Sequence, residues 1–99
     1  MSVYLWYPKC AGFEWDPAKA KTNLRKHRVV FDYAMRVFQD LNRIERPDEG
    51  DHEGEERWQV LGRVEEFVLV VVYTARWDRI RIISARRAEL NEYIEYWNG

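Results

Sequence analysis

The chain has 99 residues, 46% of them apolar and 15% aromatic, with 16 Lys and Arg against 17 Asp and Glu for a formal charge of -1. A chain of that size and aromatic content buries enough apolar surface to fold as one domain, which excludes an intrinsically disordered polymer. Its single cysteine, Cys10, excludes a disulfide framework and a cysteine-rich zinc site, and the near-zero charge excludes a uniformly basic nucleic-acid binder.

In chain order, Val3 to Tyr7 is apolar and reads as a short edge strand closed by Pro8, with a second extended piece at Phe13 to Trp15. Asp16 and Pro17 then mark a helix start: the carboxylate accepts from free N–H groups of the first turn, and proline suits the first helical position. The helix runs to His27, with Ala20, Leu24 and His27 on one side and Lys19, Asn23 and Lys26 as an adjacent polar line. Asp32 caps a second helix whose apolar side is Phe31, Ala34, Met35 and Phe38.

Leu41 to Arg46 reads as a strand, ended by Pro47 and by an acidic loop from Asp48 to Gly54. Trp58, Val60 and Gly62 alternate with Arg57, Gln59 and Leu61, the pattern of a strand with one solvated face, and Glu65-Glu66 form its turn. Phe67 to Thr74 is almost continuously apolar, as a central strand covered on both faces requires. From Arg79 to Ser84, alternation places Arg79 and Arg81 on one face and Ile80 and Ile82 on the other, and Ser84 caps a last helix running to about Trp97. The expected class is α+β, with two N-terminal helices packed on a small antiparallel sheet and a C-terminal helix. Val68 to Tyr73, the most apolar run, is too short to span a bilayer, and the N-terminus lacks a leader pattern, so a soluble cytoplasmic protein is expected.

Charge is distributed unevenly. Cations dominate Lys19 to Arg28 and recur from Arg76 to Arg87, while acids crowd Asp48 to Glu56 and return at Glu89, Glu92 and Glu95. A positive face and a negative rim follow, and the positive face calls for an anionic partner. Asp51-His52-Glu53 offers oxygen and nitrogen ligands, yet adjacent residues of a loop do not make a preformed metal site; a solvated or partner-contacting loop is the expectation. Trp15 and Trp58 are expected in the core. Trp77, between Arg76 and Asp78 at a hairpin, is the tryptophan placed for exposure and base stacking, and Tyr93, Tyr96 and Trp97 form a helix face for packing or a partner.

One ordered set of motifs carries a resemblance. Phe13-Glu14-Trp15-Asp16, Lys19, Asn23, Lys26-His27, Phe31 and Ala34 are followed by Glu55-Glu56-Arg57, Leu61-Gly62, Val70 to Thr74, Arg76, Asp78 and Arg81 to Ala88. From about Phe13 to Tyr96 the chain resembles the BrnT toxin family, which leaves residues 1–12 as an extension of a single toxin domain. Two positions depart from the family pattern: Arg28 stands where glycine is common after Lys-His, and Trp77 where a small turn residue is usual.

The resemblance implies a type II toxin with a RelE-like fold, an endoribonuclease that cleaves RNA and inhibits translation without a cofactor or metal. It also implies a BrnA-type antitoxin through which alone the complex meets operator DNA, and no membrane partner. RNA cleavage of this kind needs a base for the 2′-hydroxyl, cations for the charge on phosphorus and a proton for the leaving oxygen. The candidate catalytic residues are His27, for proton transfer, and Lys26, Arg76 and Arg86 on the phosphate, with Lys19, Arg57 and Arg81 binding RNA. Each has a plainer role open to it: His27 as a helix-end packing residue, Lys26 as a solvated lysine, Arg76 as a turn bridge to Asp78, and Arg57 as the partner of Glu55 and Glu56. The alternative for the whole chain is a catalytically inactive RNA-binding or antitoxin-interaction module of the same fold.

Overall fold

The computed structural model describes residues 12–50 and 53–99; the expected Val3 to Tyr7 strand, Cys10 and the Asp51-His52 part of the acidic loop lie outside them. Strand β1 (Gly12–Glu14) leads into helix α1 (Pro17–His27), then α2 (Phe31–Ala34), which continues as a 3₁₀ helix (Met35–Gln39). Strands β2 (Ile44–Pro47), β3 (Trp58–Val64), β4 (Phe67–Arg76) and β5 (Arg79–Arg87) follow, and helix α3 (Leu90–Asn98) closes the chain. The α+β class is as the sequence indicates. The sheet, however, is mixed: among the described residues it has five strands in the order β1-β5-β4-β3-β2, and β1 runs parallel to β5 while the other pairs are antiparallel.

The central strand is the apolar one. Val68, Leu69, Val70 and Val71 are all buried, because successive residues of β4 face opposite layers and both layers are filled. On one face Val60, Val64, Leu69, Val71, Tyr73, Ile80, Ile82 and Ala85 pack against Phe31, Ala34, Val37 and Phe38. On the other, Leu61, Val68 and Val70 pack against Tyr96 of α3. Coverage from α3 explains why β3 is not solvated on one face as alternation alone suggests: Val60, Leu61 and Gly62 are buried in succession.

Three element boundaries depart from the sequence expectation for identifiable reasons. The second helix starts at Phe31 after an N-cap at Val30, with Asp32 inside its first turn and no side-chain cap. Its buried residues are Phe31, Ala34, Val37 and Phe38, and from Met35 the segment tightens into a 3₁₀ helix. Leu41 does not open a strand, because the Asp40 carboxylate accepts from Asn42 N at 2.9 Å and holds a turn there. Finally, Ser84 does not cap a helix; it pairs with Val72 in the ladder, β5 continues to Arg87, and Glu89 caps α3 instead in a reciprocal capping box with Glu92.

Glycine matters most at Gly62. A Cβ there would stand 2.8 Å from Val37 Cβ, so the 3₁₀ helix lies on β3 only because this side chain is missing.

Candidate functional site

Helix α1 is built as the sequence indicates at both ends. Asp16 Oδ1 accepts from Ala18 N at 2.8 Å, Pro17 opens the helix, and Arg25, Lys26 and His27 sit in the last turn, where cations complement the helix dipole. Arg28 ends it in the left-handed conformation, φ 61 and ψ 30, with its N–H donating to Leu24 O. An arginine thus occupies a backbone state that glycine adopts without strain.

Its packing side is the expected one only in part: Ala20 packs against the core and His27 is half-buried. Leu24 is 44% exposed, whereas Asn23 is only 5% exposed and anchors the helix. The Asn23 amide donates to Val29 O at 3.0 Å and Ala85 O at 2.8 Å, and its Oδ1 accepts from Ala85 N at 3.0 Å. Among the described residues, strand β1 covers the outer edge of β5 at Arg79, Ile80 and Arg81. Beyond that point the edge would leave backbone groups unpaired, and Asn23 supplies a donor and an acceptor in place of a neighbouring strand.

This clamp fixes a groove of about 290 Å³ between α1 and β5, lined by Lys19, Thr22, Asn23, Lys26 and His27 above Ile83 and Ser84. Lys19 and Lys26 are exposed and His27 half-buried. Among the described residues, the side chains of Lys19, Lys26 and His27 make no hydrogen bond or salt bridge. The groove therefore joins two uncommitted cations, an imidazole and the Ser84 hydroxyl, a set suited to holding an anion and moving a proton.

The other predicted residues are placed elsewhere. Arg86 lies two positions beyond Ser84 on the same strand face, but its guanidinium grips Glu92 of α3 through two bonds, 2.8 and 2.9 Å. That hydrogen-bonded pairing holds the Glu92 carboxyl below the usual carboxylate range and pushes Arg86 up. Arg76 pairs with Arg79 at the far end of the β4–β5 ladder, whereas Arg86 pairs with Val70. Six residues of β4 span about 20 Å, so the two arginines mark opposite ends of a face and not one point.

Arg81 is bonded to Glu14 of β1 at 2.8 Å. Arg57 donates to Glu55 at 3.0 Å. The hydrogen bond from Arg57 holds the Glu55 carboxyl low, and the charges of Arg57, Arg76 and Lys19 lower it further against its burial. Arg57 thus holds Glu55 by a hydrogen bond, while Lys19 and Arg76 act on it through their charge alone.

Sequence reasoning missed three contributors: Asn23, Ser84 as a groove residue, and Glu92 as the partner of Arg86. Only Glu92 left a local signal, the Glu89-x-x-Glu92 spacing of a capping box. Among the described residues no group of three His, Cys, Asp or Glu side chains is placed to hold a metal ion, and no helix is long and apolar enough to cross a membrane.

A family model described as "Ribonuclease toxin, BrnT, of type II toxin-antitoxin system" matches residues 15–92. No curated protein gives a match to the chain. The matched span includes the whole of α1, the sheet from β2 to β5 and the Arg86–Glu92 pair.

Proposed function

The chain belongs to the BrnT family of type II toxin-antitoxin ribonuclease toxins, and from that membership we propose that it is an endoribonuclease whose chemistry takes place in the α1–β5 groove. The observation that supports this reading is the convergence of the Lys19, Lys26 and His27 side chains on one groove with Ser84. An RNA strand laid there presents its phosphate to the lysines. The 2′-oxygen attacks the neighbouring phosphorus and the bond to the 5′-oxygen breaks, leaving a 2′,3′-cyclic phosphate and a 5′-hydroxyl end. His27 exchanges the proton, and Lys26 balances the charge that develops on the non-bridging oxygens.

In this reading Lys19 holds the adjacent phosphate, while Arg57, Arg76 and Arg81 track the strand along the sheet. Arg86 stands beside the groove and joins the reaction only when Glu92 yields it. The mechanism uses side chains alone and no metal or cofactor, the fold is RelE-like, and RNA cleavage inhibits translation in the cytoplasm. A BrnA-type antitoxin neutralises the toxin by covering the basic face, and operator DNA is reached through that antitoxin.

The test is growth on induction with and without the antitoxin, followed by mapping of RNA ends. His27→Ala should lower cleavage by about 10²- to 10⁴-fold and Lys26→Ala by about 10²-fold, with the fold intact. Wild-type cleavage in His27→Ala would remove the groove assignment. The engagement of Arg86 by Glu92 favours a second reading, a catalytically inactive RNA-binding module, whose signature is salt-sensitive RNA binding without new RNA ends.

A further inference from the structure

At the tip of the β4–β5 hairpin three unfavourable features coincide. Trp77 is 102% exposed, so its indole is fully hydrated. Its φ is 57, a backbone state in which a bulky side chain is strained. Arg76 and Arg79, both exposed, stand directly opposite one another in the ladder, where like charges repel. Among the described residues neither arginine forms a salt bridge, with Asp78 or with any other acid.

The other tight hairpin shows what compensation looks like. Glu65, at φ 55, is strained in the same way between β3 and β4, but its carboxylate accepts from Tyr33 Oη at 2.9 Å and faces Arg36 at 3.9 Å. Among the described residues the Trp77 side chain makes no such hydrogen bond or ion pair. Arg76 gains from the Glu55 charge, but the strained, hydrated Trp77 does not, and a bulky residue that breaks local rules without such a gain points to an external partner.

The chemistry of the tip selects that partner. A fully exposed indole at a hairpin tip that also carries two exposed arginines suits an unpaired nucleobase and its phosphates, the combination used for single-stranded nucleic acid. Its location agrees, since Lys19 of the groove and Arg76 of the tip both act on the Glu55 carboxyl and so lie at the same end of the molecule. We propose that Trp77, with Arg76 and Arg79, is a stacking platform for a base of the RNA strand that leaves the groove past Lys19. The identity of the strand as RNA rests on the ribonuclease reading above.

The experiment uses the full chain and a 2′-O-methyl oligoribonucleotide, which cannot be cleaved, beside an abasic oligomer carrying the same phosphates. Trp77→Ala should weaken binding of the base-bearing oligomer by about 5- to 100-fold and leave the abasic one unchanged, and Trp77→Phe should restore most of the loss. Equal affinity of Trp77→Ala and the parent for the base-bearing oligomer overturns the platform, as does an equal loss for both oligomers. Preference of the tip for an acidic peptide or an anionic lipid vesicle over the oligomer overturns it as well. A parallel assay for new ends in unmodified RNA separates the two ideas. Trp77-dependent binding without cleavage supports the platform and removes the ribonuclease, whereas cleavage with Trp77-independent binding does the reverse.

Discussion

Asn23 is the residue on which the geometry of the groove depends most. One amide satisfies Val29 O and both backbone groups of Ala85, in a position 5% exposed. Asn23→Ala would leave these groups buried without partners and should cost about 3 to 5 kcal/mol in urea unfolding. Asn23→Asp keeps the acceptor and loses both donors, so it should fall between. RNA cleavage measured on the fraction still folded should drop in both, since Lys19 and Lys26 are held over Ser84 by this clamp. Cleavage at the parent rate by folded Asn23→Ala would show that the groove does not need it. From the sequence, Asn23 reads as one more polar residue on a basic helix, because nothing local distinguishes a buried amide from a solvated one.

Helix α3 is an element attached through polar contacts as much as through its core residue. Tyr96 donates to Asp40 Oδ2, which also accepts from Arg63 N at 2.7 Å, Arg46 pairs with Glu95, and Arg86 grips Glu92. Burial and the neighbouring Asp40 push the Tyr96 hydroxyl up to about 12, so it stays a donor at neutral pH. The Glu92 carboxyl moves the other way, held down chiefly by its bond from Arg86. The folded state therefore binds a proton there less readily than the unfolded chain does. The stabilisation is complete above the unfolded value of about 4.3 and is lost as pH falls through the lower folded value. Glu92→Gln should cost about 2 kcal/mol near pH 7, and the difference from the parent should vanish at strongly acid pH. A difference in melting temperature that stays constant down to acid pH would show that the pair contributes nothing through its charge.

At the scale of the whole molecule, a chain of formal charge -1 concentrates cations in α1 and at the β4–β5 hairpin, while acids are frequent in α3 and in the loop before β3. Binding of single-stranded RNA should then weaken as salt rises. Removing one lysine that neutralises a phosphate lowers the slope of log affinity against log salt by about 0.7, so the Lys19→Ala, Lys26→Ala double variant should flatten it by about 1.4. An unchanged slope would place the RNA away from the groove. The sequence by itself determined what depends on neighbours a few residues apart. It marked the Asp16-Pro17 helix start, the buried β4 run, the Glu65-Glu66 turn, the alternation of Arg79 to Ile82, and the ordered motifs that identify the family. Tertiary structure alone decided that Asn23 would meet Ala85, 62 residues away, that Arg86 would be committed to Glu92, and that Arg76 and Arg86 would stand at opposite ends of a ladder. Periodicity encodes which face a side chain takes along its own element; which distant group completes its hydrogen bonds or cancels its charge is fixed only when the elements pack.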